Sequence, residues 1–166
     1  MSMNEEHKRL VIESWKAVKE IGWEDIGVLL FRNVFTASPA TLQFFPFRDE
    51  PNLYESKALK AHGAAVINTI GTAVVGLRDL DAMIPTLEKL GRMHIGMGIA
   101  HAHFDVLGAE LLRTLGTCIL LFFILSYFSS TPFIEMTLGD KFTPEVREAW
   151  GNMYHLVSST MQNAMH

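Results

Sequence analysis

The chain is poor in the residues that stop helices and in those that staple loops. Its 166 residues include six prolines, twelve glycines and one cysteine. The solitary Cys118 excludes an internal disulfide framework and fits a reducing compartment. Acidic and basic residues alternate in short mixed runs to a net charge of -4, with no Lys/Arg cluster. That removes the electrostatic footprint of a nucleic-acid binder. The opening MSMNEEHKRL carries two glutamates and no apolar core, so no secretory signal is expected there. Position 2 is not Gly, so N-myristoylation is not indicated. The expected location is cytoplasmic. There are no β alternations, repeats or low-complexity tracts, no Gly-rich phosphate loop and no nucleophile elbow. No Cys/His or carboxylate/His pattern has zinc spacing.

What remains is helix-forming. Apolar residues make up 49% of the chain, with Leu, Ala, Met, Glu and Lys plentiful, and the length fits one domain with a real core. Asn4 can cap a first helix, whose stripe is Leu10, Ile12, Trp15, Val18 and Ile21, stopped by Gly22. A second helix from Trp23–Asp25 reaches Ser38-Pro39. A short segment from Pro39 to Phe45 follows, with an aromatic cluster of Phe44, Phe45 and Phe47. A long helix is expected from about Ser56 to Val75, with Leu59, His62, Val66, Thr69 and Ala73 on one face. The next helix, expected to start near Pro85, puts Leu87, Leu90 and His94 on one face. Phe104 to Leu115 reads as helical. Thr143, Pro144 and Glu145 form a strong start for the last helix, whose buried face is Val146, Trp150, Met153, Val157, Thr160 and Met161.

Two of the seven histidines, His62 and His94, lie inside apolar stripes on different helices. A neutral imidazole is a good iron ligand, and an apolar surround suits a flat, greasy porphyrin. A histidine on an apolar face is more often a satisfied core residue than a ligand. On spacing alone both readings stand. His101 and His103 are two apart and point in different directions, so they make a poor chelating pair. His7, His155 and His166 have polar or terminal surroundings and are expected to be solvated. The nine methionines read as core filling.

Four stretches in order decide between these readings: GVLLFRNVFTASPATLQFF, LKAHGAAV, LEKLGRMHIGMGI and TLGDKFTPEVREAWGNMY. Through them the chain resembles a globin, closest to the neuroglobin-like branch. The resemblance implies an all-α globin fold of about seven to eight helices in a single domain, residues 1–166, around a haem b pocket. It places His94 at the proximal and His62 at the distal position. Pro39 and Phe45 match the family's C-helix proline and the phenylalanine lying against the haem, and Val66 matches the aliphatic residue one turn after the distal histidine. By position, Phe31 is expected to hang over the distal pocket, and Leu42 and Phe44 to approach the haem edge. Leu90, Met97, Ile99, Phe104 and Leu107 are expected along the proximal side and floor, although ordinary core packing would select the same residue types.

The function implied is reversible binding of a diatomic gas (oxygen, nitric oxide or carbon monoxide) at a His-ligated iron. His62 is expected to ligate in the six-coordinate resting state. The rival is a haem enzyme, a nitric-oxide dioxygenase or nitrite reductase. No flavin or reductase motif is present, so that activity would need an external reductase, and the chain is not expected to be an enzyme first. A haem-free helical sensor or interaction module of similar shape has no need for both histidines.

One run departs from the family pattern, ILLFFILSYFSSTPFIEMT at residues 119–137, an apolar insertion between the last two helices. Its apolar core from Ile119 to Phe128 is shorter than the ~20 residues that span a bilayer, so no transmembrane segment is expected. Three readings stand: an extension of the preceding helix ending near Ser129–Pro132, a surface packing on another chain or on lipid, or a translated non-coding insert. In each the insertion is expected to bulge outward and spare the pocket.

Overall fold

The computed structural model describes residues 3–129 and 141–165. Among them are six α-helices and two short 3₁₀ segments, with no strand. The α-helices are α1 (Glu5–Lys19), α2 (Trp23–Ala37), α3 (Lys57–Gly76), α4 (Leu80–Gly96), α5 (His101–Ser129) and α6 (Pro144–Asn163). The 3₁₀ segments, Pro39–Phe44 and Leu53–Glu55, lie between α2 and α3.

Local chemistry sets most boundaries. The Asn4 side chain accepts from the His7 N–H at 2.7 Å, and Glu5 and Glu6 occupy the positive end of α1. Ser56 caps α3 through the Leu59 N–H at 3.2 Å. Thr143 caps α6 through Val146, with Pro144 at the first helical position. Gly22, at φ 100°, makes the turn between α1 and α2 that other residues rarely adopt.

Two helices differ from their expected extents. α4 begins at Leu80, not near Pro85, because Asp79 caps it through the Ala82 N–H at 3.2 Å. Burial of Met83 and Leu87 then outweighs the hydrogen bond that Pro85 cannot donate. α5 runs on from Leu115 to Ser129 because no Gly or Pro interrupts the run from Cys118 onward. The first part of the expected insertion is therefore a helix extension. Residues 130–137 lie outside the described residues.

α1, α2 and α5 pack around α6 and α3. Trp15 lies against Trp23 and Trp150, with ring centroids 5.6 and 5.7 Å apart, and Trp150 Nε1 donates to Ser14 at 2.9 Å. His7, expected in solvent, is half-buried and accepts from the Asn152 amide at 3.0 Å, because α1 docks along α6. By length and composition α3 and α5 are apolar enough to cross a membrane. Here α3 packs chiefly on α2, and α5 buries Phe104, Leu111, Leu115, Cys118 and Ile119 against the other helices.

The tightest crossing sets the position of the site. α2 and α3 meet backbone to backbone at Gly27 and Gly63, where a Cβ on Gly63 would lie 2.8 Å from the Gly27 carbonyl carbon. α4 crosses α6 as closely, since a Cβ on Gly91 would run into the Met161 carbonyl. Gly63→Val is expected to destabilise the chain in urea unfolding by about 3 kcal/mol or more, because backbone cannot move aside as a side chain can. Gly151→Ala, where a Cβ meets nothing within 4 Å, is expected to stabilise by roughly 0.5–1 kcal/mol. Similar effects at both positions would refute the backbone-crossing account.

Candidate functional site

The Gly27–Gly63 contact draws the start of α3 onto α2, and so presses the residue before Gly63 against α2. That residue is His62. Its ring lies 5.0 Å from Phe31, 5.2 Å from Phe45 and 6.1 Å from Phe47. Phe45 and Phe47 stack at 5.1 Å, and Phe31 meets Phe45 edge-on at 5.5 Å. Burial holds the imidazole below its usual pKa, and the nearby His94 adds to that by disfavouring a second positive charge. His62 is thus a neutral imidazole in an aromatic cage.

His94 occupies the last turn of α4. Its Nδ1 lies 2.7 Å from the Leu90 carbonyl oxygen one turn back. A carbonyl can only accept, so Nδ1 carries the proton and Nε2 keeps a free lone pair. The His94 carbonyl accepts from the N–H groups of Met97 and Ile99 at 3.1 and 3.2 Å. Gly98 then turns the chain at φ 78°, fixing where α5 begins.

His94 forms part of the wall of a partly open cleft with a cavity volume of about 90 Å³. Val66 and Ile70 of α3, Leu90 of α4, and Phe104 and Leu107 of α5 line it as well. α6 contributes Met153, Tyr154, Val157 and Ser158. The hydroxyl protons on this wall are committed: Tyr154 donates to the Phe104 carbonyl, Thr69 to Ala65 at 2.9 Å and Ser158 to His155 at 3.3 Å. The chemically open group among these residues is the His94 imidazole, in an otherwise apolar chamber. Among the described residues no three His, Cys, Asp or Glu side chains gather to hold a metal ion. Two imidazoles and an apolar cleft suit a metal that brings its remaining donors in a flat apolar ring.

The structure brings most of the expected residues together. Val66, Leu90, His94, Phe104 and Leu107 share the cavity wall, while Phe31, Phe45 and His62 form the adjoining aromatic cluster. Leu42 and Ile99 are half-buried against the core. Phe44 sits further out, edge-on to His103 at 4.7 Å and beside Gly98. Met97 is not on the cavity wall. It is 54% exposed, because α4 ends at Gly96 and the Gly98 turn leaves its side chain outward. Sequence reasoning missed Phe47 and Tyr154. Phe47 had a signal in its membership of the aromatic cluster. Tyr154 falls between Trp150 and Val157 at helical spacing, so its burial was readable but its bond to Phe104 was not.

Comparisons with known proteins give the same fold and a family. The globin family pattern matches residues 28–119, more than half of the chain. The chain belongs to the globin family. It is 28% identical over 165 residues to neuroglobin of Danio rerio, covering 96% of this chain and 90% of that protein. It is also 28% identical over 155 residues to an anaerobic nitrite reductase of Casuarina glauca, covering 90% of this chain and 84% of that one. A solved hexacoordinated heme protein from an anhydrobiotic tardigrade superposes with a TM-score of 0.77 at 17% identity, over 98% of this chain and 94% of its own.

The lowered pKa of His62 predicts a pH effect on the chain without haem. The unfolded chain takes up the proton first, near the ordinary value of 6.5. Stability is therefore full above that pH and falls as pH drops through the lower folded value. Urea titrations over this range are expected to show the loss, and His62→Leu to remove it. A pH dependence identical in the variant would place the charge penalty elsewhere.

Proposed function

We propose that the chain binds haem b between His94 and His62 and reversibly takes up diatomic gases there. The observation that carries this reading is the His94 Nδ1 bond to the Leu90 carbonyl, which leaves Nε2 as the donor atom and holds the ring's orientation. Val66, Leu90, Phe104 and Leu107 supply apolar walls, and Phe45 and Phe31 pack around the opposing imidazole. When bound, haem supplies an iron that His94 ligates on one side, with a further position for a gas or a second imidazole.

His62 decides access to that position. Neutral and desolvated, it offers either a lone pair to the metal or an N–H to a small ligand. We assign the first role to the resting state, in keeping with the hexacoordinated tardigrade protein and the neuroglobin relative. A gas must then wait for His62 to move aside, so its apparent affinity scales with the open fraction. A second reading, nitrite reduction, is favoured by the similarity to anaerobic nitrite reductases of Casuarina glauca and Physcomitrium patens. It requires a separate electron donor.

His94→Ala is expected to cut the haem retained after gel filtration far more than His62→Ala, and equal losses would contradict the assigned roles. Carbon monoxide uptake should reach a concentration-independent limit in the wild type. In His62→Ala it should rise linearly with gas and run at least about 10-fold faster, for an open fraction of a tenth or less. Unchanged kinetics would leave His62 off the metal. Steady nitrite consumption with an external reductant would favour the enzymatic reading.

A further inference from the structure

The outward row of α5 changes character along its length. Arg113, Thr117, Leu121 and Leu125 follow one another at four-residue spacing, and all four are exposed. Leu121 is 43% exposed and Leu125 66%. An exposed helix row ordinarily stays polar to its end. Here it turns to leucine at the point where the globin match stops, residue 119. Leu120, 39% exposed, widens the apolar area.

Cations gather at the base of this apolar end. Arg113, Lys141 and Arg147 line an open cleft between α5 and the start of α6, together with Gly116, Thr117, Leu120 and Phe142. Lys141 stands over the Phe123 ring at 5.2 Å and Arg147 over the Phe142 ring at 5.0 Å. Among the described residues neither makes an ion pair with a carboxylate, and Arg113 reaches Glu110 only at 3.7 Å. Of the two acids at the start of α6, Glu145 is hydrogen-bonded to its own backbone and to Thr143, and Glu148 makes no ion pair with these cations among the described residues. Three cations thus cluster on a chain whose net charge is -4.

We propose that this end of α5, with the α5–α6 cleft, docks on an anionic lipid membrane. Leu121 and Leu125 enter the interface, and Arg113, Lys141 and Arg147 meet the headgroups. Leucines flanked by Lys and Arg are the pattern of a surface that lies on, and does not span, a membrane. A second copy of this chain is the poorer occupant. A two-fold contact would set the same three cations against each other, whereas an anionic leaflet neutralises all three at once.

The test is flotation of the full chain with vesicles of phosphatidylcholine alone and of phosphatidylcholine with phosphatidylserine. Binding is expected on the anionic vesicles only, with release as salt is raised. The triple variant Arg113→Gln, Lys141→Gln, Arg147→Gln should weaken it about 100-fold or more, at roughly one unit of surface attraction per cation. Leu121→Gln with Leu125→Gln should weaken it at least about 10-fold by removing apolar contact. Far-ultraviolet circular dichroism checks that both variants keep their helices, and both replace exposed side chains only. Equal binding to neutral vesicles, or anionic binding that survives both variants, overturns the proposal. So does an absence of vesicle binding, whether the chain is then found as a dimer, binding inorganic phosphate alone, or as an inert monomer.

Discussion

One hydrogen bond decides what the cavity can do. With Nδ1–H of His94 held 2.7 Å from the Leu90 carbonyl, the imidazole is fixed in tautomer and direction, and its free lone pair is at Nε2. Without that bond the ring would be an ordinary core histidine, free to turn. The bond is local to α4, with both partners one helical turn apart. What the fold must add is an opposite wall. That wall comes from α3, whose His62 is kept neutral by burial and by the nearness of His94.

The wall is positioned by the absence of side chains. Gly27 and Gly63 let α2 and α3 touch through their backbones, and Gly91 lets α4 lie on the Met161 carbonyl. Each contact removes the side-chain layer that normally separates helices by 8–10 Å. The histidine-bearing helices α3 and α4 are thereby each drawn tightly onto a neighbour while the space between them stays unfilled. Tyr154 and Phe104 close the far side through their own hydrogen bond, so the chamber's polar groups are spent on structure. An apolar chamber with one open imidazole is chemically narrow, and that narrowness is what makes a flat metal-bearing ligand the fitting occupant.

Much of this was legible in the letters, and the rest was not for identifiable reasons. Caps such as Asn4, Ser56 and Thr143 act within a turn of themselves, so helix starts could be read directly. The stripe carrying His62 and Val66 gave the face of α3 correctly because its period is helical. Pro85 misled because its penalty is local and visible, whereas the Asp79 cap and the burial of Met83 that outweigh it appear only in the folded chain. Met97 misled differently: position in a matched stretch placed it near the pocket, but the Gly98 turn points it outward. The Tyr154 bond to the Phe104 carbonyl joins segments 50 residues apart, which no local pattern encodes.

The central claim is that both imidazoles reach one iron. The visible spectrum of the haem-loaded chain, reduced and free of gas, tests it most directly. Narrow, split bands are the expected result, the mark of two axial nitrogens. A single broad band would put His62 off the metal and contradict the paired-imidazole site.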